Sequence, residues 1–160
     1  MKIKLIIPIL IFISCNSNAT TNSIEVDENI LNNLENLETS ESININSSNN
    51  TKINYWASWC LECIEEHQYL IQLSQTEGFE NQVYFVLFQD SKENAIDFIN
   101  QYGRGEINYV TDPESKMAIY SGVFGVPETH ILLNNQIIKK FIGPLSLENL
   151  QEIIISYSNE

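Results

Sequence analysis

Cys60 and Cys63 are separated by Leu61 and Glu62 in the run Trp59-Cys60-Leu61-Glu62-Cys63. Two thiols at this spacing can close a disulfide with each other and reopen it. The residues before them, Lys52 to Trp56, are rich in β-formers, and those after, Ile64 to Leu73, read as a helix. Cys60 then lies at a helix N-terminus, where unpaired backbone N–H groups and the helix dipole stabilise a thiolate. It is the expected nucleophile. Cys63, one turn on, is the expected resolving thiol, which attacks a mixed disulfide and frees the partner. A half zinc site is the rival chemistry. Zinc takes four ligands, the chain has no second C-x-x-C, and His67 and His130 are its only histidines. No metal is expected, and no cofactor beyond the cysteine pair itself.

Two acids stand close to the pair. Negative charge near a thiol disfavours its thiolate, and a weakly stabilised thiolate goes with a reductant rather than a strong oxidant. Glu62 either acts in this way or is a solvated side chain at a helix end. Glu66 lies three residues after Cys63, on the same helix face. Partly buried, it can accept a proton from Cys63; otherwise it is an ordinary surface carboxylate. Trp59 is expected partly exposed beside Cys60, where it could contact a partner, and Trp56 is expected in the core. His67 reads as a helix-surface or satisfied residue. A second stretch, Gly125-Val126-Pro127-Glu128-Thr129, places a proline at the entry to a strand. Pro127 is a candidate for a cis bond that would leave the backbone of Val126 free to pair with a substrate strand, with Glu128 beside it. Alternatively, Pro127 merely begins an edge strand.

The elements that must position these residues follow from the pattern. From Lys52 the order reads β-α-β-α-β-α-β-β-α. Strands alternate with helices, and a hairpin about Asn134-Asn135 closes the series. The fold class is α/β, with a central mixed sheet flanked by helices. The near-continuous apolar run Gln82 to Phe88 suits a buried parallel strand. Ser91 and Ser146 are expected helix caps, and Gly78 and Gly103 expected helix stops.

The 160 residues carry a formal charge of −13 and 43% hydrophobic residues. The apolar fraction supports an ordinary core, while the acidic balance argues against nucleic acid as a partner. Residues 1–15 form a signal-like segment: Lys2 and Lys4, then an apolar run from Leu5 to Ile13. That run is shorter than the roughly 20 residues of a transmembrane helix. Three outcomes fit it: lipid attachment at Cys15, cleavage after Ala19, or retention as an uncleaved anchor. All three put the domain outside the cytoplasm, where disulfides persist. Residues 16–50 are rich in Asn, Ser, Thr and Glu and read as a polar tether. Ile30, Leu31, Leu34 and Leu37 could form a short helix or an edge strand within it. Residues 51–160 make the domain.

Several stretches together resemble a known group. Asn54 to Cys63, followed by Glu66-His67-Gln68-Tyr69-Leu70, is similar to the thioredoxin-like thiol–disulfide interchange proteins of cytochrome c maturation. This is the CcmG/DsbE group, within the wider TlpA/ResA-like family. Asp112-Pro113, Tyr120 to Thr129 and Phe141 to Leu145 extend the resemblance to the C-terminal half. It implies a thioredoxin-like fold and a monomeric, membrane-tethered reductase on the periplasmic side of a bacterial membrane. Its substrate would be apocytochrome c or a thiol-handling partner protein, and a membrane thiol-transfer protein would re-reduce it. By position, Glu66 matches the group's acidic residue and Pro127 its cis proline. Two other readings remain: a broader disulfide oxidoreductase for exported proteins, and a non-catalytic module that binds extended peptides.

Overall fold

The computed structural model describes residues 23–158. Cys15 and the whole of the 1–15 segment lie outside them. The described elements are β1 (Ile24–Glu25), α1 (Glu28–Leu31), β2 (Glu35–Asn36), β3 (Thr51–Trp56), α2 (Leu61–Ser74), β4 (Val83–Leu87), α3 (Lys92–Tyr102), β5 (Asn108–Thr111), α4 (Lys116–Ser121), β6 (Glu128–Leu133), β7 (Gln136–Ile142) and α5 (Leu147–Tyr157). They build one seven-stranded sheet in the order β1-β7-β6-β3-β4-β5-β2. β3, β4 and β5 run parallel, and the remaining pairings are antiparallel. The expected mixed sheet is present, with helices on both faces. β3 is its central strand and is buried at all six positions.

Alternation along β3 sorts its residues between two cores. Trp56 faces a core shared with α2, α3 and α5. Ile53 and Tyr55 face the other, shared with α1 and α4. Trp56 packs against the rings of Phe98, Phe85 and Tyr109, with centroids 4.7, 5.9 and 5.9 Å away. Aromatic pairs at such separations add about 0.5–1.5 kcal/mol each beyond burial. They pin the end of β3 from which the cysteine loop departs. α2 buries Cys63, Glu66, His67, Leu70, Leu73 and Ser74. These positions recur at helical spacing and make one continuous face.

Local signals account for the boundaries. The Ser91 hydroxyl accepts from the Asn94 N–H and caps α3. Ser146 forms a full capping box with Asn149. Asn134 and Asn135 both have positive φ, 49° and 60°, as a two-residue hairpin turn of primed type requires. Gly103 closes α3 with φ 97°. Gly78 does not stop α2, which ends at Ser74; the glycine sits in the turn that follows, at φ 84°.

The 16–50 segment differs from a tether over its described part. From Ser23 on it lies against the domain. Val26, Leu31, Leu34 and Ile45 enter the core with α4, and Leu37 enters the core on the opposite face. β1 pairs with β7 and β2 with β5, so this arm covers both outer strands of the five-stranded core sheet. Polar composition hid the effect because a few apolar residues at the right places suffice. Among the described residues, no helix is long and apolar enough to cross a membrane.

Candidate active site

The cysteine pair forms where β3 stops and α2 starts. Cys60 is the N-cap of α2, and its Sγ accepts the Cys63 N–H at 3.1 Å. A sulfur in that position takes up a backbone donor that the helix itself leaves unpaired. Cys60 and Cys63 are joined as a disulfide, with Cα atoms 5.2 Å apart. Both are buried. The loop before them is clamped: Asp90 Oδ2 accepts from the Ser58 N–H at 2.8 Å and from Ser58 Oγ at 2.6 Å. Burial alone would raise the Asp90 carboxyl. The hydrogen bonds from Ser58, Asn94 and Ser91 outweigh it and hold the group below the usual range. Around the recessed sulfurs stand exposed apolar side chains. Trp59 is 60% exposed, as expected, and Leu61 is also open to solvent; Phe124, three residues before Pro127, is open as well.

Glu66 is only 3% exposed. Its Oε1 accepts from Asn54 Nδ2 at 2.9 Å and its Oε2 from the Leu145 N–H at 2.8 Å. Burial pushes its pKa up to about 7, against the two hydrogen bonds, which favour the charged form. A carboxyl with that value changes protonation readily at neutral pH. It stands one helical turn after Cys63, as the spacing predicts. Glu62, by contrast, is exposed.

Pro127 leads into β6, and the Val126–Pro127 peptide is cis. Val126 is half-buried against the same core as the cysteines. The Pro127 carbonyl accepts from the Gly143 N–H at 3.0 Å, beyond the end of β7. Glu128 requires a correction. It is 4% exposed and points to the opposite face of the sheet from Glu66, so its side chain is not available to a substrate. Its Oε1 accepts from His130 Nε2 at 2.6 Å and lies 3.8 Å from Lys140 Nζ. The reason is strand alternation: Glu128 and His130 share one face beside Tyr55, while Thr129 points to the Glu66 side.

His130 is buried, and burial followed by the Lys140 charge lowers its pKa to about 3. At neutral pH it is an uncharged imidazole that donates to Glu128, not half of an ion pair. A histidine held neutral in the fold contributes stability that is present above its ordinary value of 6.5 and lost as pH falls toward 3. Replacing His130 by Gln keeps a donor and removes the titration. The stability lost between pH 6.5 and 4, measured by denaturant unfolding, should then shrink by at least ~1 kcal/mol, since a tenfold change in proton affinity between the folded and unfolded chain corresponds to about 1.4 kcal/mol.

His67 also departs from a surface position. It is buried among Phe85, Phe98 and Tyr109, with Nε2 bonded to the Gly103 carbonyl at 2.8 Å. Burial lowers its pKa. Two features of the site were not anticipated: the Ser58–Asp90 clamp and the Asn54 amide. A polar residue inside a β-forming run was the available signal for Asn54. Lys52, in the same strand, is also buried, with Nζ on the Asn50 carbonyl and 4.2 Å from the centroid of the Phe79 ring. No three His, Cys, Asp or Glu side chains group as metal ligands among the described residues.

No protein-family model matches the chain. Individual proteins do. It is 33% identical over 110 residues to the thiol:disulfide interchange protein DsbE of Allochromatium vinosum, covering 66% of this chain and 60% of that one. It is 37% identical over 95 residues to the thiol:disulfide interchange protein HelX of Rhodobacter capsulatus, covering 59% and 52%. The chain thus spans between half and two-thirds of the length of these relatives. Among solved structures, Mycobacterium tuberculosis DsbF superposes with a TM-score of 0.69 at 17% identity, covering 83% of this chain and 99% of that one. With its mixed sheet, flanking helices, C-x-x-C disulfide and cis proline, the chain has a thioredoxin-like fold and is similar in sequence to the DsbE, CycY and HelX thiol:disulfide interchange proteins.

Proposed function

We propose that the protein is a thiol–disulfide oxidoreductase working as a reductant outside the cytoplasm, where it keeps the haem-attachment cysteines of apocytochrome c reduced. The observation that carries this reading is a cysteine pair at a helix N-terminus with a buried carboxyl, Glu66, one turn on. In the reduced form the Cys60 thiolate attacks a substrate disulfide. One substrate sulfur leaves with the electron pair, and the other stays joined to Cys60. Cys63 passes its proton to Glu66 and attacks Cys60 Sγ. The mixed disulfide breaks, the second substrate sulfur leaves, and the Cys60–Cys63 bond carries the two electrons' worth of oxidation. A membrane thiol-transfer protein then returns the pair to the dithiol. No other cofactor is required. Trp59 and the backbone at Val126 and Pro127 receive the substrate segment. A monomer on the periplasmic side, held through lipid on Cys15 or an uncleaved N-terminal segment, completes the reading.

The reduction potential tests the direction of electron flow. Equilibration with a thiol redox buffer should place it nearer thioredoxin, at about −270 mV, than the strong oxidant DsbA, at about −120 mV. A value at the oxidant end sinks the reductant assignment. Deleting the gene and staining for covalent haem tests the substrate; normal haem attachment argues against apocytochrome c. A wider range of exported substrates is the second reading. It is favoured by the apolar rim of Trp59, Leu61 and Phe124, which can receive many sequences. The resemblance to cytochrome c maturation proteins favours the first.

A further inference from the structure

Asn54 lies in the middle of β3 and is itself buried. An amide in that place must find its partners inside the protein. Nδ2 uses both of its N–H groups, one on Glu66 Oε1 and one on Thr129 Oγ1, each at 2.9 Å. Oδ1 is buried with no partner among the described residues. An amide placed only for its own satisfaction would not leave its acceptor empty. This one presents donors. The Leu145 N–H, from the loop before α5, serves the other Glu66 oxygen. The carboxyl is thus gripped on both sides, by β3 and by the C-terminal loop, while α2 carries the side chain. Thr129 follows Pro127 by two residues, so the same amide ties the helix of the cysteines to the strand of the cis proline.

We propose that Asn54 is a positioning residue: anchored on Thr129, it holds the Glu66 carboxyl in place and ready to accept the Cys63 proton. The proposal rests on the reading of Glu66 as that acceptor. Asn54 acts through Glu66 and takes no part in the sulfur chemistry.

The test uses the full chain and two readouts. One is the titration of the Glu66 side-chain carboxyl in the oxidised protein, followed by carbon NMR. The other is the pH profile of the rate at which the reduced protein reduces a disulfide peptide. In Asn54→Ala the loss of a donor to the charged form should raise the Glu66 titration by about one pH unit, a tenfold change in proton affinity. The rate profile should move with it. Thr129→Val, which removes only the anchor and guards against a misfolded Asn54→Ala, should move both in the same direction by less. In a Glu66→Gln background, Asn54→Ala should leave the profile where Glu66→Gln alone put it. The proposal is overturned if the Glu66 titration stays put in both variants, or if Asn54→Ala moves the profile equally without Glu66. If instead Glu66→Gln has no effect on the wild-type profile, the acceptor reading itself falls and the proposal with it. An intact Glu66→Gln effect beside an unmoved titration removes the Asn54 proposal alone.

Discussion

Cys60→Ser should lower the turnover of a disulfide substrate by at least about a thousandfold, while Cys63→Ala should leave the first step intact and stall the second. Cys60 is the residue whose sulfur takes the helix N-terminal N–H, so its thiolate is the one the fold stabilises. A serine alkoxide at that place is not accessible at neutral pH, and no other described cysteine can replace it. Both sulfurs are equally recessed, so the order of attack rests on the N-cap position of Cys60 and its backbone donor rather than on exposure. Without Cys63 the mixed disulfide on Cys60 persists and can be seen as a covalent adduct on a non-reducing gel. Full activity of a Cys60→Ala variant in cells would favour a peptide-binding module in which the disulfide is dispensable. An adduct that forms on Cys63 in Cys60→Ser, and none on Cys60 in Cys63→Ala, would reverse the two roles.

Glu66→Gln should slow resolution of that adduct by about a hundredfold near neutral pH, the usual scale of a lost general base. It should also flatten the pH dependence of the rate around pH 7. The amide fits the same space. Asn54 can turn its own amide to accept from the new Nε2, so the rate effect reports chemistry rather than collapse of the site. Stability should respond in the opposite sense. The Glu66 carboxyl has its value raised by burial from the ordinary 4.5 to about 7 in the fold. A raised acid contributes stability that is fully present below its unfolded value and is lost as pH rises through its folded one. Relative to wild type, Glu66→Gln should therefore be more stable at pH 8 than at pH 4, by about 1–3 kcal/mol. Denaturant midpoints at the two pH values measure this. An equal difference at both would show that the buried carboxyl is not held near neutrality.

The chemistry and the framework of the domain could be read from residue order because their signals are local. Cys60 and Cys63 are separated by one helical turn, Ser91 and Ser146 cap helices three residues from their partners, and Asn134-Asn135 makes its own turn. What was hidden depends on residues far apart in the chain. Glu128 looks like part of the substrate groove when it is read beside Pro127. Its orientation is decided by β6 pairing with β3, which places it opposite Tyr55 and beside His130 and Lys140. Asn54 gains its meaning from Thr129, 75 positions away. The arm before β3 misled for a different reason. Leu31, Leu34 and Leu37 have helical spacing, but the helix there has only four residues, Glu28–Leu31. Their burial comes from docking on the sheet, and composition carries no trace of that.

The pairing of β1 also decides which end of the outer strand the N-terminal arm covers. β6 leaves Pro127 and runs six residues away from the disulfide, about 20 Å at strand spacing. β7 returns, so Ile142 lies beside Glu128 and Gln136 lies at the distant pole. Ile24 and Glu25 join the sheet at that pole, opposite Ile137 and Gln136. The two described residues of β1 therefore cover the edge of β7 only at the end far from the sulfurs. The arm leaves the other end of that edge uncovered, and Trp59, Leu61 and Phe124 stay open to solvent.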